Sequence, residues 1–183
     1  GLSTKNLNVY ETTEPLAYYS HHKKIPQKVL ILENKDTFYS MRQHLLDNHS
    51  MILGEEIGTL IYGGGKSIHK SFRDFTFCVE PYLNNKRNEI LYFGDLDYEG
   101  ILIYETLQDN FRDEVILKPF CTAYETMLRK VSIEKLPDMK EGQNSNIGME
   151  FLSYFSKQTQ EQMLYILNNN KYIPQEALQR KDF

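Results

Sequence analysis

The sequence predicts an α/β domain: a mostly parallel sheet of about four strands with helices on both faces, followed by C-terminal helices. Two observations predict it. Short apolar runs alternate with segments of helical period, and those runs are apolar almost throughout rather than at every second position. Strands of that kind belong to a parallel sheet covered on both sides, closed by right-handed crossovers.

The first run, Val29-Leu30-Ile31-Leu32, is followed over residues 36–48 by Phe38, Met41, Leu45 and Leu46 at helical spacing. A second unit has residues 58–62 as strand, the glycines at 63, 64 and 65 as turn, and a helix over about 67–83. Residues 89–93 form a third strand, and residues 99–110 a helix carrying Ile101, Ile103, Tyr104 and Leu107. Glu114-Val115-Ile116-Leu117-Lys118 reads as a fourth strand. Residues 1–27 are polar and without clear period, with Tyr10, Tyr18, Tyr19 and His21-His22, and read as a lead-in from a region upstream of this fragment. Beyond Ser132, Pro137, Gly142 and Asn144-Ser145-Asn146 mark a loose stretch over 135–148. A helical pattern then resumes, with Phe151, Leu152, Phe155, Met163, Ile166 and Leu167 as its buried stripe. There is no internal repeat and no low-complexity tract.

Composition narrows the function classes. A chain of 183 residues, 40% hydrophobic and 25% charged, has the make-up of an ordinary globular domain. No apolar run approaches the roughly 20 residues of a membrane span, and no signal peptide opens the chain, so a cytoplasmic protein is expected. Cys78 and Cys121 lack zinc or disulfide spacing and read as buried free thiols. Histidines 21, 22, 44, 49 and 69 show no metal-ligand spacing and read as surface or hydrogen-bonded residues. The formal net charge of −4 argues against unaided DNA binding, since phosphate contacts demand a basic surface.

The chemistry concentrates at Phe93-Gly94-Asp95-Leu96-Asp97-Tyr98-Glu99-Gly100, where an apolar strand ends in three acids at alternate positions. Residues two apart in extended backbone share a face, so Asp95 and Asp97 can point into one volume, with Glu99 a third candidate. Two carboxylates about 4 Å apart repel by roughly 4 kcal/mol at an effective dielectric near 20. A hard divalent cation with oxygen ligands, Mg²⁺ or Mn²⁺, offsets that repulsion. Ligands of an open parallel sheet bind beyond the carboxyl ends of its strands. Glu33 ends strand one, Gly63-Gly64-Gly65-Lys66 ends strand two, and Asp95 and Asp97 end strand three. Turn chemistry accounts equally for an isolated Gly-Asp-x-Asp, and a helix-start acid for Glu33 or Glu99 alone; it is their meeting at one sheet edge that points to a site. Lys66 and Lys35 are candidate phosphate contacts, or solvated lysines. Gly65-Lys66-Ser67 is no P-loop, because position 60 is Leu where that motif needs glycine.

Leu30-Ile31-Leu32-Glu33-Asn34 and Phe93-Gly94-Asp95-Leu96-Asp97-Tyr98-Glu99-Gly100 resemble the two acidic motifs of a Toprim domain, the Rossmann-like metal-binding module of topoisomerases, primases and several nucleases. In order and spacing they are most similar to the C-terminal domain of JetD, the nuclease subunit of Wadjet anti-plasmid systems, itself related to the A subunit of topoisomerase VI. The likeness covers residues 28–130 as Toprim core, with 131–183 as a helical C-terminal extension. Ile173-Pro174-Gln175-Glu176-Ala177-Leu178 also resembles that family's C-terminal end. The resemblance implies a Mg²⁺- or Mn²⁺-dependent DNA endonuclease with Glu33, Asp95 and Asp97 as catalytic metal ligands, Glu99 as a further ligand and Glu176 as a secondary candidate. It implies DNA as substrate, partner subunits of an SMC-like defence complex and a homodimer of the longer protein. A topoisomerase VI A-like strand-breaking subunit is the alternative among enzymes; it would take its nucleophilic tyrosine from a domain upstream of this fragment, since 27 residues cannot hold it. A non-catalytic module that only binds a cation is the alternative outside enzymes.

Overall fold

The computed structural model describes residues 15–183; Tyr10 and most of the expected lead-in lie outside the described residues. Four strands make the parallel centre of the sheet: β2 (Lys28–Leu32), β4 (Glu55–Tyr62), β5 (Glu89–Phe93) and β6 (Ile116–Pro119). Their spatial order is β4-β2-β5-β6, and adjacent members run parallel. The sheet as a whole is mixed and has six strands, not about four. β1 (Ala17–Ser20) lies antiparallel on the free edge of β4, and β3 (Met51–Ile52) pairs antiparallel with the start of β4. β1 is a half-exposed edge strand, so it carries no apolar run to announce it. The β3–β4 turn uses Leu53 and Gly54, both at positive φ (51° and 83°), in place of the usual Asn-Gly signal.

Burial follows position in the sheet. Val29, Leu30, Ile31 and Leu32 of the central strand are fully buried, because helices cover both faces. Helix α1 (Lys35–Leu46) follows β2 and packs through Phe38, Met41 and Leu45, whereas Leu46 faces solvent at 49% exposure, outside the expected stripe. Its N-cap is Asn34, whose side chain accepts from the backbone N–H groups of Asp36 (2.7 Å) and Thr37 (3.2 Å).

The single helix expected over 67–83 is instead a run of short turns: a 3₁₀ turn at Gly65–Ser67, α2 (Ile68–Ser71), a 3₁₀ turn at Phe72–Asp74 and α3 (Phe75–Cys78). Packing decides this. Residues three apart eclipse in a 3₁₀ turn, which stacks the buried rings of Phe72 and Phe75 (centroids 4.6 Å apart) beneath Phe111. The following turn is turned outward, so Cys78 is exposed rather than buried; Cys121 is half-buried.

Helix α4 (Tyr98–Phe111) buries Ile101, Ile103, Tyr104 and Leu107 as its spacing predicted. After β6 come α5 (Cys121–Lys130), the loop 131–149 with one 3₁₀ turn, α6 (Glu150–Ser153) and α7 (Lys157–Asn168). The chain then returns to the sheet: Ile173 and Leu96 exchange backbone hydrogen bonds of 2.9 and 3.2 Å. Among the described residues, no helix is long and apolar enough to cross a membrane.

Candidate metal and phosphodiester site

Strand register builds the site. Leu32 stands opposite Tyr62 on one side and Phe93 on the other, so β2, β4 and β5 end flush. The next residues, Glu33, Gly63 and Gly94, therefore line up along one edge, fixed by hydrogen bonds from Gly63 N–H to Leu32 O (2.8 Å) and from Glu33 N–H to Phe93 O (3.1 Å).

Glu33 reaches across the end of β5. The hydroxyl of Tyr92, fully buried, donates to Glu33 Oε2 (2.9 Å), and the carboxylate lies directly over Gly94, where a Cβ would collide with that oxygen. Gly94 is thus needed for space, and its N–H is held by the Tyr124 hydroxyl (2.9 Å). Glu33 Oε1 accepts no hydrogen bond among the described residues, and a Cβ on Gly65 would stand 3.8 Å from it. Burial, and secondarily the charge of Asp95, push the Glu33 carboxyl up to about 7 despite the Tyr92 hydrogen bond. Tyr92 itself is driven well above the ordinary range by burial, so it stays a protonated donor.

Asp95 has the same half-free geometry. Its Oδ1 accepts from the backbone N–H of Gln175 (2.7 Å), and its Oδ2 has no donor among the described residues. Burial raises this carboxyl to about 6, opposed by the Gln175 hydrogen bond, with Asp97 and Glu176 raising it further and Lys140 lowering it.

The other expected ligands are placed differently. Asp97 caps α4 through Oδ1 and Gly100 N–H (2.7 Å), while Oδ2 accepts from Gln143 Nε2 (2.7 Å), so each of its oxygens already accepts one hydrogen bond. Glu99, in the first turn of α4, pairs with Lys66 (3.1 Å) at a solvent-exposed position. Glu176 accepts from the Asn34 side-chain amide beside the site. Lys35 opens α1, with its Nζ 6.0 Å from the centre of the Tyr39 ring. Among the described residues, no three His, Cys, Asp or Glu side chains are grouped as a metal cage. Tyr18 and Tyr19 lie on edge strand β1.

One comparison bears on this arrangement. The family model for Wadjet protein JetD, C-terminal, matches residues 3–181. The chain belongs to the JetD C-terminal family. No curated protein and no solved structure gives a significant match. The JetD match runs through both acidic motifs and on through the C-terminal segment, whose Gln175 hydrogen-bonds Asp95.

That segment supplies what sequence reasoning missed in this JetD-family chain. Gln175 is fully buried and joins both acidic loops: its Oε1 accepts from Asn34 N–H (2.7 Å), its Nε2 donates to Phe93 O (2.8 Å), and its own N–H holds Asp95. Only the Pro174-Gln175-Glu176 string hinted at it, and there the acid drew attention rather than the amide. Gln143, Tyr92 and Lys140 carried no signal of their own, being ordinary residues of a loop, a strand and another loop.

Proposed function

We propose that this domain is the metal-dependent endonuclease part of a Wadjet anti-plasmid system, a Toprim-type module that hydrolyses DNA phosphodiesters together with partner subunits. One observation carries the reading. Glu33 and Asp95, brought together by neighbouring parallel strands, each have one oxygen fixed by a protein donor and one left free, and both carboxyls are raised by burial.

The donor set fits a divalent cation. Magnesium keeps several waters and is held by one or two carboxylates together with substrate phosphates, so two acids with free oxygens suffice without a three-ligand cage among the described residues. No ion pair reaches either acid among the described residues. Glu33 Oε1 and Asp95 Oδ2 would hold the ion. Bound there, Mg²⁺ or Mn²⁺ would supply Lewis acidity at the phosphodiester and favour ionisation of water.

The rest is done by the chain. Tyr92 and Gln175 orient the two acids, Gly94 leaves room for the Glu33 carboxylate, and Gln143 fixes Asp97. The N-termini of α1 and α4 open at the same edge and present positive dipole ends to a phosphate. Glu99 and Glu176 add negative charge that raises the demand for a cation. The net charge of −4 fits a division of labour in which other subunits supply most of the DNA grip.

The test is cleavage of circular plasmid by the full-length protein in its complete complex with added Mg²⁺ or Mn²⁺. Glu33→Gln and Asp95→Asn are expected to abolish cutting while leaving the fold intact. Undiminished cutting by both variants refutes the reading, and a covalent protein–DNA adduct would replace it with topoisomerase-like chemistry.

A further inference from the structure

The three acids at the sheet edge are not held alike. Tyr92 and Gln175, which orient Glu33 and Asp95, are fully buried, and the Gly100 N–H on Asp97 Oδ1 belongs to the first turn of α4. The donor on Asp97 Oδ2 is of another kind. It is the side-chain amide of Gln143, a half-exposed residue in a segment without regular structure.

That segment is fixed at its two ends and weakly held between them. Upstream, Met139 N–H donates to Asn170 O (2.8 Å) and Asp138 pairs with Lys171 (2.7 Å). Downstream, Gly148 N–H donates to Glu105 Oε2 (2.7 Å), a carboxylate into which a Cβ on that glycine would run. Among the described residues, the hydrogen bonds that tie residues 140–147 to the rest of the domain are those of Gln143: its Nε2 donates to Asp97 Oδ2 (2.7 Å), and its Oε1 accepts from Glu99 N–H (3.2 Å). Ile147 adds an apolar contact with the core. Gly142 stands at a φ of 80° with open space where a Cβ would be, and a crevice of about 340 Å³ separates residues 142–144 from the side of α4. The middle of the segment therefore has room to move.

Both polar side chains that this segment sends toward the acids compete with a cation. Gln143 places a donor on Asp97 Oδ2, the oxygen left over once Oδ1 has capped α4. Lys140 is exposed and in no ion pair among the described residues, yet its ammonium is close enough to lower the Asp95 carboxyl. An amide dipole and a solvated ammonium offset the acids only in part, because neither brings the full charge of a divalent ion into contact with them. We infer that residues 140–147 form a strap that stands in for a cation at the acidic edge and is released when a divalent ion takes Asp97 Oδ2. The inference rests on the nuclease reading above for the ion, and adds Gln143 and Lys140 as positioning residues that set how tightly it binds. Burial distinguishes the two kinds of donor: Tyr92 and Gln175 are locked in the core and stay, whereas Gln143 can leave without opening it.

The test is binding of Mn²⁺ to the full chain, followed by electron paramagnetic resonance of the free ion, together with ¹⁵N relaxation of the backbone amides in Mg²⁺. Gln143→Ala is expected to bind Mn²⁺ about fivefold more tightly than wild type, the worth of one net hydrogen bond, and Lys140→Ala about threefold more tightly. A donor that merely orients Asp97 gives the opposite sign, since its loss would loosen the ligand and weaken binding. In wild type, saturating Mg²⁺ is expected to lower the ¹H–¹⁵N nuclear Overhauser effect of residues 140–147 and to leave that of residues 93–97 unchanged. Lys140→Ala alters an exposed side chain and keeps the test decisive if Gln143→Ala fails to fold. Equal or weaker binding by the variants, no binding by any of the three proteins, or an unchanged Overhauser effect in the strap would overturn the inference. The two readings fail separately: metal-dependent plasmid cutting by the complete complex, with variants that bind Mn²⁺ like wild type, refutes the strap alone, whereas tighter binding by the variants without any cutting refutes the nuclease alone.

Discussion

Glu33→Gln is the most informative single change, because it separates the cost of the site from its use. In the folded chain the Glu33 carboxyl titrates at about 7, against an ordinary value of 4.5. Each tenfold change in an ionisation constant corresponds to about 1.4 kcal/mol, so holding Glu33 ionised without a cation costs the fold about 3 kcal/mol. The folded-state value is raised, so the favourable contribution is complete below about pH 4.5 and is lost as pH rises through about 7. Above that, the metal-free protein carries the full cost. Gln has nearly the same shape, still accepts from the Tyr92 hydroxyl and cannot ionise. In EDTA at pH 8 the variant is therefore expected to be more stable than wild type by about 3 kcal/mol, or roughly 6–12 °C in Tm for a domain of this size. At pH 4.5 the difference is expected to vanish. Added Mg²⁺ is expected to raise the Tm of wild type at pH 8 and not that of the variant, since only a cation bound to the native state stabilises it. Thermal unfolding by circular dichroism at both pH values, with and without Mg²⁺, makes the comparison. A variant less stable than wild type at pH 8, or equally stabilised at both pH values, would refute the reasoning.

Three further predictions follow from the same geometry. Gly94→Ala drives a methyl into both the Glu33 carboxylate and the hydroxyl of the buried Tyr92, so Tm should fall by several degrees and plasmid cutting by the complete complex at least 100-fold. Gln175→Ala leaves the Asn34 N–H without its partner and removes one of two donors to Phe93 O, costing about 2 kcal/mol in urea unfolding. Asp97→Ala removes the cap of α4 and the Gln143 contact and should cost about 2 kcal/mol, whereas Asp97→Asn keeps an acceptor for Gly100 N–H but turns an amide donor toward Gln143 Nε2 and should cost about 1 kcal/mol.

The sequence was legible where one physical cause dominated. The buried strands β2 and β5 are apolar at nearly every position because both faces are covered, and Glu33 and the Asp95 segment stand out because both fall at the same edge of the expected sheet. It was illegible where tertiary contacts decide. Ile68, Phe72 and Phe75 carry spacing that suits one long helix, yet the chain forms short turns in which Phe72 and Phe75 stack on each other and Phe72 meets Phe111 edge-on. β1 pairs at an exposed edge and needs no apolar signature, and the β3–β4 turn runs through a leucine at positive φ. Within the site, Asp97 looked like an equal partner of Asp95 from spacing alone. What the spacing did not show is that α4 begins at Tyr98, so that Asp97 also serves as its cap. Gln175 was hidden because its role depends on a chain reversal some 80 residues after Asp95.

The site's dependence on that reversal explains why the C-terminal segment packs where it does. Two flush parallel strands bring Glu33 and Asp95 together, but the sheet itself offers no donor to hold Asp95 at a fixed angle. The Leu96–Ile173 bridge places the Gln175 backbone N–H there, and the buried Gln175 side chain ties Asn34 and Phe93 to the same point. Neutral amide and phenol donors orient the acids without neutralising them, since a lysine or arginine in the place of Tyr92 or Gln175 would satisfy the charge internally. The uncompensated charge then falls to a cation, and the two helix N-termini at the same edge favour an anion beside it. If the proposed nuclease reading holds, a cation and a phosphate would each strengthen the binding of the other, so that metal affinity measured with and without DNA would differ.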